Sequence, residues 1–92
     1  MSEDLSVLRQ EIDRINREMT RLFVRRMNIS AQVAAYKREH NLPVLDAARE
    51  EIILQKVAEW AGEPYAAATR KFFQAIMQIS RDAQTEILSQ NS

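Results

Sequence analysis

The sequence predicts an all-α fold of three helices per chain, one of them very long, assembled as an intertwined helical homodimer. Three observations lead there. Leu5 to His40 run without Gly or Pro, and apolar residues recur through them at alternating steps of three and four, the period of one helix face. The whole chain has one Gly and two Pro, which leaves turn material for only a few long elements. At 92 residues it is one domain, 1–92, and a chain this short often gains its core by association.

The first helix is expected over about 5–40. Ser2 and Asp4 are candidate caps, and acidic residues there suit the helix dipole. Its register is Leu5, Leu8, Ile12, Ile15, Met19 and Leu22, continued by Arg26, Ile29, Val33 and Tyr36. It closes near His40-Asn41, with Lys37, Arg38 and His40 in the last turn and Pro43 beyond. A rod of about 35 residues is roughly 50 Å long, more than the rest of the chain can easily cover. A second copy is the expected cover.

Leu42-Pro43-Val44-Leu45 forms a short connector, and Asp46 is a good N-cap for a second helix over about 47–61. Its apolar stripe is Leu45, Ala48, Ile52, Ile53, Val57 and Trp60. Gly62 is placed to close that helix in a left-handed cap, and Pro64 to open the third at its first turn. The third helix is expected over about 64–89. Its stripe holds Phe72, Phe73, Ile76, Met77, Ala83, Ile87 and Leu88, with Ser80 and Gln84 inside it. The tail Gln90-Asn91-Ser92 is expected to fray.

Composition excludes several functions. Lysine plus arginine equals aspartate plus glutamate at 13 each, so no global basic field draws nucleic acid or an anionic membrane. There is no Cys and a single His, hence no disulfide and no zinc constellation. No Gly-rich loop is present to cradle phosphates, and no nucleophile has a His base nearby in sequence. The N-terminus lacks a signal-like apolar run and no stretch reaches membrane-spanning length, so the cytoplasm is the default location. An enzyme built from this chain must act by positioning and electrostatics.

Charge enters the argument locally. Arg26 occupies a seam position of the first helix, with Arg9 and Lys37 beside the seam, a costly placement unless something anionic meets them. Arg26 and Lys37 are separated by about 20° of rotation and roughly 16 Å of rise, so they point the same way. Arg9 lies roughly 25 Å from Arg26 along the axis and about 100° around it. It reaches a shared small ligand only from a second, antiparallel chain. Asp46, Arg49 and Glu50 share a face of the second helix, as Ser80 and Gln84 share one of the third. Together the set suits a small ligand with two carboxylates and a hydroxyl. Each piece also has a structural reading. Arg26 can set coiled-coil register, Asp46–Arg49–Glu50 can be a cap with a surface pair, and Ser80–Gln84 a hydrogen-bonded core pair. Lys37 and His40 can serve the helix dipole. All four structural readings holding at once is the less economical account.

These residues carry a resemblance. The pattern Leu8-Arg9-x-x-Ile12-Asp13, then Arg25-Arg26, Val33-x-x-Tyr36-Lys37 and Pro43-Val44-x-Asp46-x-x-Arg49-Glu50 resembles the all-helical class of chorismate mutases. Phe73-Gln74 followed by Ile79-Ser80-x-x-x-Gln84 resembles that family's last helix. The resemblance implies a homodimer with two equivalent sites and conversion of chorismate to prephenate, on the route to phenylalanine and tyrosine, without cofactor or metal. It implies that Arg9 of the partner chain and Arg26 bind the carboxylates. Lys37 and Gln84 donate to the ether oxygen, and Glu50, with the backbone near Asp46, holds the ring hydroxyl. Ser80 assists a carboxylate, and Arg49 orients neighbours or touches substrate more weakly. Gln84 donates at any ordinary pH, so activity is expected to persist from mildly acidic to neutral pH. The rival readings are isochorismate-pyruvate lyase on the same scaffold and a non-catalytic helical dimerisation module. The Asp46-x-x-Arg49-Glu50 run favours the mutase. Family members also occur fused to other enzyme domains; ending after the third helix, this chain reads as monofunctional or as an isolated domain.

Overall fold

The computed structural model describes residues 4–90; Ser2, Asn91 and Ser92, named above as cap and tail, lie outside them. Three helices follow in order: α1 (Leu5–Glu39), α2 (Ala47–Ala61) and α3 (Ala66–Gln90).

α1 starts where Asp4 turns its carboxylate back onto the Val7 N–H at 3.1 Å, satisfying a donor the helix itself cannot. The Ser6 hydroxyl bonds the same carboxylate. That bond first, and the Val7 N–H second, hold the Asp4 carboxyl below its ordinary range. The other end is a Schellman closure. Asn41 takes φ 55°, its N–H reaches the Arg38 carbonyl, and the Leu42 N–H reaches the Lys37 carbonyl at 2.8 Å. Asn is one of the few residues that tolerate that left-handed conformation.

α2 is capped by Asp46, whose carboxylate accepts from the Arg49 N–H at 3.0 Å. At its other end Gly62 has φ 66° but ψ 179°. That is a correction to the left-handed cap expected there: φ is positive, yet the chain leaves extended instead of wrapping back. Pro64 does not open the third helix either. The Tyr65 N–H bonds the Gly62 carbonyl and the Tyr65 carbonyl accepts the first helical bond, from Thr69. Pro64 therefore sits in the turn, and α3 begins at Ala66.

α3 packs against both other helices, while α1 and α2 do not approach each other closely along their backbones. Two bridges fix how α1 and α3 lie. Arg26 meets Ser80 and Ser30 meets Gln84, both at a separation of 54 residues. A constant offset means the two helices run parallel there, with α2 bringing the chain back. The core is small: Ala34, Leu54, Val57, Ile76 and Met77, with Ser80 and Gln84 buried among them.

Of the expected stripes, that of α2 needs correction. Within one chain α1 covers Phe23, Arg26, Met27, Ser30, Ala31, Ala34 and Lys37, one face over from the long apolar register. That register stays open: Leu5, Leu8, Ile12, Ile15, Met19 and Leu22 are each exposed. On α2 the covered face centres on Leu54 and Val57, whereas Ile52 is exposed and Trp60 is 79% exposed. On α3 the buried row is Ile76, Met77, Ser80 and Gln84, and only Phe72 of the expected stripe turns out to solvent.

Candidate active site

The C-terminal half of α1, the connector, the first turn of α2 and the middle of α3 enclose a cleft of about 300 Å³. Arg26, Lys37, Asp46, Arg49, Glu50, Ser80 and Gln84 all line it, together with Ser30, the Val44 connector residue and Arg81. Arg9 does not line it; it lies on the open N-terminal half of α1. Three elements distant in sequence thus place these polar side chains around one space.

Arg26 and Lys37 are each held by a neutral partner. The Arg26 guanidinium donates to the Ser80 hydroxyl at 3.1 Å, and that hydroxyl lies 3.7 Å from the Met27 sulfur. Lys37 has its carbonyl engaged by the α1 closure, and its ammonium donates to the Val44 carbonyl at 2.5 Å. Among the described residues neither cation has a carboxylate partner. Partly buried cations that keep their charge without a counter-ion are unfavourable unless an anion arrives from outside.

Gln84 is buried and its Nε2 donates to the Ser30 hydroxyl at 2.7 Å. Its Oε1 is buried and has no partner among the described residues. A hydroxyl serves either amide atom, so a half-turn of the amide lets Ser30 satisfy Oε1 and frees both N–H donors. Ser30 is the residue that sets this choice.

The acids are arranged differently. Asp46 caps α2, while Glu50 forms an ion pair with Arg81 from α3. Four cationic and two acidic side chains line the cleft, an excess of two positive charges. The N-terminus of α2 adds its partial positive charge. Such a lining favours a compact dianion.

Sequence reasoning missed Arg81 and Ser30, both of which line the cleft. The available signal for Arg81 was spacing: Met77, Ser80, Arg81 and Gln84 share one helix face.

Fold and site together define a class, an all-α chain with a cationic cleft roofed by its last helix. Comparison with known proteins gives the family. The family model described as chorismate mutase type II matches residues 8–85, and the chain belongs to that family. It is 32% identical over 87 residues to the bifunctional chorismate mutase/prephenate dehydratase of Aquifex aeolicus (strain VF5), covering 95% of this chain and 24% of that protein. It is 42% identical over 53 residues to the T-protein of Haemophilus influenzae (strain ATCC 51907 / DSM 11121 / KW20 / Rd), covering 58% of this chain and 14% of that protein. The chain thus spans less than a quarter of the length of these relatives. No solved structure matches it.

Proposed function

We propose that this chain catalyses the Claisen rearrangement of chorismate to prephenate, as a homodimer in the cytoplasm. The observation that carries the reading is Arg26 and Lys37 in one cleft with neutral partners only, beside Glu50 and Gln84. Family membership supplies the substrate.

The reaction is intramolecular. The C–O bond of the enol ether breaks as a C–C bond forms, and no proton or nucleophile is exchanged. A protein accelerates such a step by holding the compact conformer and by fixing donors where charge appears. Arg26, steadied by Ser80, anchors a carboxylate. Lys37 and Gln84 present N–H groups to the ether oxygen, which gains negative charge as its bond lengthens. Glu50 accepts from the ring hydroxyl, with the α2 N-terminus around Asp46 next to it. Arg49 keeps the surrounding potential positive.

Arg9 completes the site from a second chain. Support for dimerisation comes from shape. The radius of gyration is 16.8 Å, against about 12 Å for a compact domain of this length. The accessible surface is 7360 Å², against about 5,500 Å² for a compact monomer of this mass. The excess has the size of an obligate interface, and it includes the open apolar register of α1.

Product analysis tests the reading. Purified protein incubated with chorismate, and separately with isochorismate, should yield prephenate from the first and no pyruvate from the second. Pyruvate release without prephenate would replace the mutase with a lyase.

A further inference from the structure

Arg81 has no role in the mechanism above, yet it lines the cleft and binds one of its working carboxylates. Its surroundings differ from those of the other ion pairs. The side chains of Arg81 and Glu50 are 25% and 22% exposed, against 66% and 60% for Arg14 and Glu11. The guanidinium is fixed twice: Nη1 bonds Glu50 Oε1, and Nη2 donates to Gln78 Oε1 at 2.6 Å. Gln78 in turn donates from Nε2 to Asp82 at 2.9 Å. A relay of bonds along α3 therefore ends on Glu50, each member orienting the next. Glu50 Oε2 has no partner among the described residues.

We propose that Arg81 is a positioning residue that clamps Glu50 through one oxygen so that the other stands ready for a substrate hydroxyl. A carboxylate held at one oxygen no longer has to be ordered when substrate binds, so the benefit falls on the hydroxyl contact alone.

The alternative is that Arg81 only fastens α3 to α2, as Arg70 does through Glu51 on a more exposed face. That pair is the matched control. The inference rests on the chorismate reading, and kinetics on the full chain separate the two. Arg81→Met should raise KM for chorismate about 10-fold, the scale of a lost charge-assisted hydrogen bond, with kcat changed less than about 3-fold. The Ki of a chorismate analogue lacking the ring hydroxyl, used as competitive inhibitor, should stay within about 2-fold. Arg81→Lys should recover part of the KM, and Arg70→Met should change neither constant. Should Arg81→Met fail to fold, Arg81→Lys decides alone: an intermediate KM with an unchanged analogue Ki supports the clamp. The clamp is overturned by wild-type KM in the Arg81 variants, by equal losses for chorismate and the deoxy analogue, or by an equal loss in Arg70→Met. Wild-type protein inert toward chorismate would overturn the functional reading beneath it as well.

Discussion

A guanidinium bonded to a hydroxyl and an ammonium bonded to a carbonyl are oriented without being neutralised. Ser80 and the Val44 carbonyl do this for Arg26 and Lys37. Both cations remain able to stabilise charge that develops on a bound molecule. Removing one such fixed donor typically costs about 10²–10³-fold in turnover. Arg26→Ala and Lys37→Ala should each lower kcat by that order while circular dichroism and thermal unfolding stay near wild type. Near-full turnover in Lys37→Ala would dismiss it as a donor to the ether oxygen. The same scale shows why some residues were readable in the sequence and Arg81 was not. Arg26, Ser80 and Gln84 stand out because they are polar on apolar stripes. Arg81 is an arginine between Ser80 and Asp82 on a helix with charged neighbours, which is how a solvated side chain looks. Only the fold brings Glu50 within its reach.

At the scale of elements, caps and breakers decide where each helix stops. Asn41 and Gly62 both take positive φ, but they do different things: one wraps α1 closed, the other lets the chain leave α2 extended. A Cβ on Gly62 would meet nothing within 4 Å, so the penalty for a side chain is conformational alone. Gly62→Ala should cost about 1–3 kcal/mol in denaturant unfolding, without altering KM, because the turn lies away from the cleft. Glu51 and Arg70 supply a pH handle on the α2–α3 contact. The hydrogen bond from Arg70 is the main reason the Glu51 carboxyl lies below its ordinary 4.5. A lowered folded-state value means the stabilisation is present above that ordinary value and is lost as pH falls through the lower one. The gap in Tm between wild type and Glu51→Gln should therefore be small, present at neutral pH, and closed in acid well below pH 4.5. A gap independent of pH would rule the pair out as its source. Helix phase was less legible than helix extent. Ile52, Ile53 and Leu54 are consecutive apolar residues, so their order cannot say which of them faces inward. Packing on α3 selects Leu54 and turns Ile52 out, and Trp60 follows it into solvent. On α3, where Ser80 and Gln84 punctuate the stripe, the phase is nearly unambiguous.

For the whole molecule the informative quantity is length without thickness. The chain extends 60 Å in one direction and 14 Å in another, and the N-terminal half of α1 has no cover of its own. With Arg9 on that half and Arg26 at the cleft, the proposed dimer gives each site one arginine from either chain. Arg9→Ala and Arg26→Ala homodimers should both be nearly inactive, and mixing them under subunit exchange should restore part of the activity, since one of the two sites in a heterodimer keeps both arginines. Equilibrium sedimentation should give twice the 10.7 kDa chain mass. Monomeric mass, or no recovery on mixing, would end the shared-site arrangement.

The neutral partners of Arg26 and Lys37 also have a consequence for the solution around the protein. A cleft with an excess of two positive charges, in which Arg26 and Lys37 have no carboxylate partner among the described residues, is open to any small divalent anion in the buffer. Sulfate should act as a competitive inhibitor, raising apparent KM while leaving kcat unchanged. The effect should exceed that of chloride at equal ionic strength, because general screening depends on ionic strength alone. The choice of buffer salt would then set the apparent affinity as directly as a substitution in the cleft.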